Sequence, residues 1–137
     1  MKKISDKRYE KIFENIKFDS NGLLPVVVQD YKTNKVLMVA YMNKEALLLT
    51  LAKKKLHFFS RSRQKIWMKG EQSGNIQVLK SIYIDCDGDC LLVKVKQIGS
   101  ASCHTGYESC FYRKLDRNFN FKVVERKIFD PEKVYKK

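Results

Sequence analysis

Apolar and polar positions along this chain fall into blocks whose periods differ. Residues 23–31 (LLPVVVQDY) and 35–42 (KVLMVAYM) are apolar, β-branched runs divided by the turn-like KTN, and they predict a hairpin. NKEALLLTLAKKK follows and predicts a helix, with Asn43 as its cap, Glu45 in the first turn and Lys53 to Lys55 at the end. HFFSRS, beginning at His57, predicts a third strand, with a polar loop running on through KGEQSGN. IQVLKSIYID and LLVKVKQI predict two more strands. In the second, Val93 and Val95 alternate with Lys94 and Lys96, as in a sheet with one wet face. Upstream, SDKRYEKIFEN (residues 5–15) predicts a short surface helix with Ser5 as N-cap. Beyond Gly99 the pattern turns irregular: FYRKLD suggests a short helix, and FKVVERKIFDPEKVYKK an edge strand with a frayed end. The expected class is α+β, a mainly antiparallel sheet of five or six strands with two or three helices.

Composition narrows the function classes. A chain of 137 residues predicts one domain, 1–137, and no apolar run is long enough to cross a bilayer. The first residues lack an apolar leader segment and carry Asp6, Glu10 and Glu14, so a cytoplasmic enzyme without a membrane partner is expected. The formal charge of +13 is mostly scattered lysine. That pattern fits a solvated surface and a field that steers a small phosphorylated substrate, and no nucleic-acid partner is expected. Cys86, Cys90, Cys103 and Cys110 crowd into one short window, which in a reducing compartment points to a metal site.

Three stretches carry the chemistry. IDCDGDC, residues 84–90, mixes carboxylates for hard cations with thiols for softer metals. In an extended chain Asp85, Asp87 and Asp89 share one face and Cys86 the other; a solvated turn around Gly88 is the competing reading. An EF-hand fails, because its glycine and glutamate positions hold Cys90 and Lys96. In CHTGYESC, a straight helix would separate Cys103 and Cys110 by about 10.5 Å, too far for one zinc, but Gly106 lets a loop close. Cys86 would complete three ligands and leave an open position. Adding Cys90 would make a closed structural site, and a buried inert thiol is a third reading. His104 is either a proton acceptor beside the metal or a surface residue, whereas His57 is expected to pack within its strand. In SRSRQKIWMKGEQSGN, Arg61, Arg63 and Lys69 match phosphate, Ser60, Ser62 and Ser73 add donors, and Trp67 stacks on a base or packs in the core.

In their order, SRSRQKIWMKGEQSGN, DCDGD and CHTGYESCFYR resemble the phosphoribosyl-AMP cyclohydrolases of histidine biosynthesis, and QDYKTNKVLMVAYMNKEAL is similar to that family's N-terminal segment. The resemblance covers about residues 18–113, leaving residues 1–17 as an extension and 115–137 as a basic tail, with no fused pyrophosphatase domain expected. It implies hydrolysis of the N1–C6 bond of the adenine ring in 1-(5-phosphoribosyl)-AMP by a zinc- and magnesium-dependent enzyme. Zn2+ is then held by Cys86, Cys103 and Cys110, and Mg2+ by Asp85, Asp87 and Asp89. His104 is the catalytic residue, and Ser60, Arg61, Arg63, Trp67, Lys69, Glu71 and Ser73 bind substrate. A homodimer is implied too, its metal site at the subunit interface and Cys86 facing Cys103 and Cys110 of the other subunit. Two departures stand out: GSASCH is one residue longer than the family's G-P-A-C-H, and Cys90 replaces a small residue, which makes it a packed strand residue. The rival readings are a basic, zinc-dependent RNA-binding module and a hydrolase with Cys103 as nucleophile.

Overall fold

Two hairpins build the core. Strands β1 (Leu24–Asp30) and β2 (Val36–Met42) pair antiparallel, as do β5 (Gln77–Ile84) and β6 (Leu91–Gln97). In the computed structural model, which describes residues 7–134, the hairpins join through β1 and β6 into a sheet of order β2-β1-β6-β5. The β1–β6 register sets Val26 beside Leu91 and Val28 beside Val93. Because side chains alternate along a strand, Leu24, Val26, Val28, Leu91, Val93 and Val95 then form one buried face. Each such side chain contributes about 1.5–3 kcal/mol by leaving water.

The helix α2 (Lys44–Lys53) turns Ala46, Leu47 and Leu51 into this core. Asn43 caps it, its side chain accepting from the Ala46 N–H at 2.8 Å, and Lys54 ends it in a left-handed conformation. The buried Thr50 hydroxyl donates to the Ala46 carbonyl and accepts from the His57 N–H, both at 2.9 Å, which fixes the helix to the next strand. That strand, β3 (His57–Ser60), pairs with β4 (Lys65–Met68) as a separate ribbon, and Phe58 is fully buried. The short α1 (Lys7–Phe13) lays Tyr9, Ile12 and Phe13 on the core. A hairpin of β7 (Arg113–Leu115) and β8 (Phe121–Val123) and the turn-length α3 (Pro131–Val134) complete the described residues.

The α+β class holds, with three α-helices among the described residues, but the sheet differs from expectation. Pairing among the described residues is mainly antiparallel, as expected, but in place of one sheet of five or six strands there are a four-stranded sheet, made mixed by the parallel β1–β6 pair, and two antiparallel ribbons. Alternation identifies a hairpin but says nothing about how two hairpins dock, and here docking through β1 and β6 aligns their apolar rows in parallel. Strand β4 replaces part of the expected polar loop: Gln64 takes the left-handed turn position (φ 53°) usually given to glycine or asparagine. FYRKLD is not a helix. Asp116 accepts from the Asn118 and Asn120 N–H groups at 2.8 and 2.9 Å, and this Asx turn folds β7 back onto β8. The proposed cap Ser5 lies outside the described residues. No helix among them is long and apolar enough to cross a membrane.

Candidate active site

The thiol loop is organised by its own backbone. Cys103 N–H bonds to the Tyr107 carbonyl at 3.1 Å, Ser102 N–H to the Glu108 carbonyl at 3.0 Å, and the chain reverses at Gly106. Gly106 sits at φ +101°, and a Cβ there would collide with the Phe129 carbonyl oxygen, so only glycine fits. The loop is strapped to the start of β2: Cys110 N–H donates to Leu37 O at 2.7 Å, Ser102 Oγ to the same oxygen at 3.1 Å, and Ser109 Oγ to Val36 O at 2.8 Å. Lys35 bridges Glu108 at 2.8 Å and Glu125 at 3.0 Å on the outer side.

This closure brings the Cys103 and Cys110 thiols within hydrogen-bonding reach of each other. Burial, then the neighbouring Cys103 group, push the Cys110 thiol up to about 12. Two thiolates side by side repel, and a divalent cation between them reverses that cost. Thr105 adds a hydroxyl at 2.8 Å from Cys103 Sγ. Lys69, expected to grip phosphate, is instead only 8% exposed, its ammonium donating to the Ser102 carbonyl. Burial lowers its pKa, and the two cysteines oppose that shift.

Beside the thiols lies a cavity of about 240 Å³ lined by Arg63, Trp67, Lys69, Glu71, Ser73 and His104. Trp67 serves two environments, since its ring packs on Phe58 at 5.3 Å between centroids while also facing the cavity. The wall turns at Gly70 (φ +86°), where a Cβ would lie 2.5 Å from Asn75 C and Ile76 N. Ser60 and Arg61 are placed elsewhere. Ser60 Oγ accepts from the Arg63 N–H at 3.2 Å, and Arg61 lies over the Tyr41 ring at 4.0 Å, lining a separate cavity with Asn21, Asn43 and Gln64. His57 is buried in its strand, as expected, with Nδ1 2.7 Å from the Lys55 carbonyl.

The acidic stretch does not continue β5 as an extended chain. Residues 85–90 form a turn closed by Asp85 N–H to Cys90 O at 3.1 Å and Gly88 N–H to Asp85 O at 3.2 Å. The turn, rather than alternation, gathers the Asp85, Asp87 and Asp89 carboxylates, whose oxygens lie within 4.8 Å of one another and face solvent. Slight burial would raise Asp85, but N–H groups of Asp89, Cys90 and Gly88 outweigh it and hold the carboxyl low. Asp89 is pushed up by its hydrogen bond to Asp85 and by the neighbouring charges. Cys90 is half-buried ahead of β6, and Cys86 is exposed.

Cys86 does not meet the other two ligand candidates within one chain. The thiol loop hangs on β2 and the acidic turn caps β5, and these are opposite edges of the four-stranded sheet. Three interstrand spacings put about 14 Å between them. Among the described residues, the three aspartates are the only such cluster of histidine, cysteine and acidic groups.

Comparison with known proteins bears on this arrangement. The family model for phosphoribosyl-AMP cyclohydrolase matches residues 38–112. A phosphoribosyl-AMP cyclohydrolase of Chlorobaculum tepidum is 55% identical over 128 residues, covering 93% of each chain. This chain belongs to the phosphoribosyl-AMP cyclohydrolase family. A cyclohydrolase of Prosthecochloris aestuarii is 53% identical with the same coverage. A histidine biosynthesis bifunctional protein, HisIE, of Thermoanaerobacter pseudethanolicus is 55% identical over 92% of this chain and 57% of its own length. The cyclohydrolase family match takes in the cavity, the acidic turn and the thiol loop, and ends before β7. Within it, sequence reasoning missed Ser102, Ser109 and Thr105. Their signal was present, as three hydroxyls interleaved with the cysteines of SCHTGYESC.

Proposed function

We propose that this chain is a histidine-biosynthesis enzyme that opens the adenine ring of phosphoribosyl-AMP by hydrolysing its N1–C6 bond, with zinc at the thiols and magnesium at the aspartates. One observation carries the reading: His104 and the polar wall of Arg63, Trp67, Glu71 and Ser73 share a cavity with Lys69, whose ammonium meets the Ser102 carbonyl beside the paired thiols. The donor sets fit the two metals, paired thiols suiting zinc and clustered exposed carboxylates a hard cation. Cys103 and Cys110, with Cys86 from a second copy, would hold zinc, which when bound would supply a water acidic enough to act near neutral pH.

The chain's residues do the rest. The Trp67 face takes the base by stacking, and Arg63 with Ser73 holds a phosphate. Glu71 accepts from a ribose hydroxyl or the exocyclic amine. His104 accepts a proton from the attacking water as oxygen adds to C6. The same imidazole returns that proton to N1 as the N1–C6 bond breaks, and the second water proton passes from the C6 hydroxyl to the exocyclic imine nitrogen as the carboxamide forms. Lys69, buried beside the cysteines, offsets the negative charge of a thiolate-rich centre. The opposite-edge placement of Cys86 supports a homodimer in which each site draws on both copies.

The test is a ring-opening assay on purified protein, with zinc counted per chain. Turnover that disappears on chelation and returns with zinc and magnesium is expected. Stoichiometric zinc with no ring opening of phosphoribosyl-AMP would contradict the reading.

A further inference from the structure

The β7–β8 hairpin is the least self-sufficient part of the molecule. Two strands of three residues are marginal in water unless something packs against them. The pairs Leu115↔Phe121 and Arg113↔Val123 set Leu115, Phe121 and Val123 on one face, and Lys114↔Lys122 sets two lysines on the other. All of these side chains are exposed, Phe121 at 68%. At the tip, Phe119 is 84% exposed and held at φ +63°. A bulky residue in the left-handed region costs free energy, and the cost persists here with an aromatic ring presented to solvent. The foot of the hairpin, by contrast, is fixed to the thiol loop. Tyr112 stacks on Tyr107 with ring centroids 3.8 Å apart, and Val124 N–H bonds to Tyr112 O at 2.8 Å.

A complementary surface lies at the far edge of the sheet. Strand β5 is an edge strand, bridged on its outer side only near its start, at Val78. Its last residues, Tyr83 and Ile84, are exposed apolar side chains that lead directly into the Asp85–Asp89 turn. The hairpin carries Arg113, Lys114, Arg117 and Lys122 against a single acid, Asp116, whereas the turn carries three exposed carboxylates. Apolar ring meets apolar strand end, and basic rim meets acidic turn.

We propose that the β7–β8 hairpin is an arm that clasps a second copy of this chain, seating Leu115, Phe119, Phe121 and Val123 on that copy's β5 end, with the basic rim facing the negative charge that the three carboxylates keep even with one divalent cation bound. The inference rests on the shared thiol site: a copy whose Cys86 reaches Cys103 and Cys110 brings its Tyr83, Ile84 and aspartates to the hairpin's foot. The occupant is a second copy because one chain holds both halves of the complementary pair at opposite edges of its sheet.

Sedimentation of the purified full-length chain, with zinc and magnesium supplied, tests it. Wild type is expected to be a dimer, and Phe119→Asp with Phe121→Asp to raise the dimer dissociation constant about 100-fold or more. Both rings are solvent-exposed in the single chain, so circular dichroism should be unchanged. Lys114→Glu with Lys122→Glu should weaken the dimer about 10-fold, an effect that fades in high salt. A wild-type monomer overturns the shared site and the arm together. A wild-type dimer whose affinity the aromatic variant leaves unchanged overturns the arm alone. Hydrogen exchange on wild type needs no variant: amides of 113–124 and 80–89 should gain protection together as dimer forms. Hairpin protection already complete in dilute monomer means the chain's own terminal segments cover it, and overturns the proposal.

Discussion

The thiol loop and the acidic turn carry the same sort of residue, clustered metal-type ligands, in opposite physical states. The loop is mostly buried, with Cys110 and His104 exposed, strapped to Val36 and Leu37 by backbone and serine hydrogen bonds, and closed at a glycine where a Cβ would collide with the Phe129 carbonyl oxygen. The turn is exposed, and backbone N–H groups together with the Asp85–Asp89 hydrogen bond ease its three like charges. One region is a preformed half-site whose ligands hold each other in place. The other is an exposed cluster of carboxylates that also carries the exposed Cys86. Under the proposed function, another copy would bring its exposed Cys86 to this pair of thiols.

Predictions follow the size of that contrast. Cys103→Ala should drop ring opening to background and remove bound zinc while far-ultraviolet circular dichroism stays native; retained zinc at wild-type stoichiometry would break the assignment. His104→Ala should leave zinc and the melting temperature unchanged and slow kcat by about 10²–10⁴-fold, the usual contribution of a positioned acid–base group. An unchanged kcat would return His104 to the role of surface residue. Gly106→Ala should cost more than about 1 kcal/mol in denaturant unfolding, since the left-handed backbone and the Phe129 carbonyl both oppose a Cβ. Ser102→Ala should cost about 1–3 kcal/mol, because that buried hydroxyl's single proton lies between Leu37 O and Glu108 O, and its loss leaves both without it. On the exposed side, Asp87→Asn should change stability by less than about 0.5 kcal/mol yet raise the magnesium needed for half-maximal turnover. Equal stability losses in loop and turn would erase the distinction between them.

Much of this was legible in the residues. Apolar β-branched runs around KTN locate the β1–β2 hairpin, apolar content and the alternation of LLVKVKQI locate β5 and β6 as strands, the Asn43 cap and lysine-rich end frame α2, and Gly106 offers CHTGYESC a place to turn. What stayed hidden depended on contacts distant in sequence. The parallel β1–β6 pairing comes from two apolar faces meeting, which neither strand's pattern encodes. Strand β4 and the β7–β8 hairpin rest on turns built from Gln64 and Asp116 in place of the usual glycine signals. Lys69 reads as a phosphate ligand in any list of cations, and only folding reveals that it is buried against Ser102. The three aspartates were grouped correctly for the wrong geometric reason, since a turn and not an extended strand gathers them.

The most direct test of a centre shared between two copies is complementation. Cys86→Ala and Cys103→Ala proteins, each inactive alone, are co-expressed or unfolded and refolded together, and ring opening is measured. If each site takes Cys86 from one copy and Cys103 with Cys110 from the other, a mixed dimer holds one intact site. Random pairing then restores about a quarter of wild-type activity. No recovery, with mixed dimers demonstrated to have formed, would place all three thiols in one chain and contradict the account.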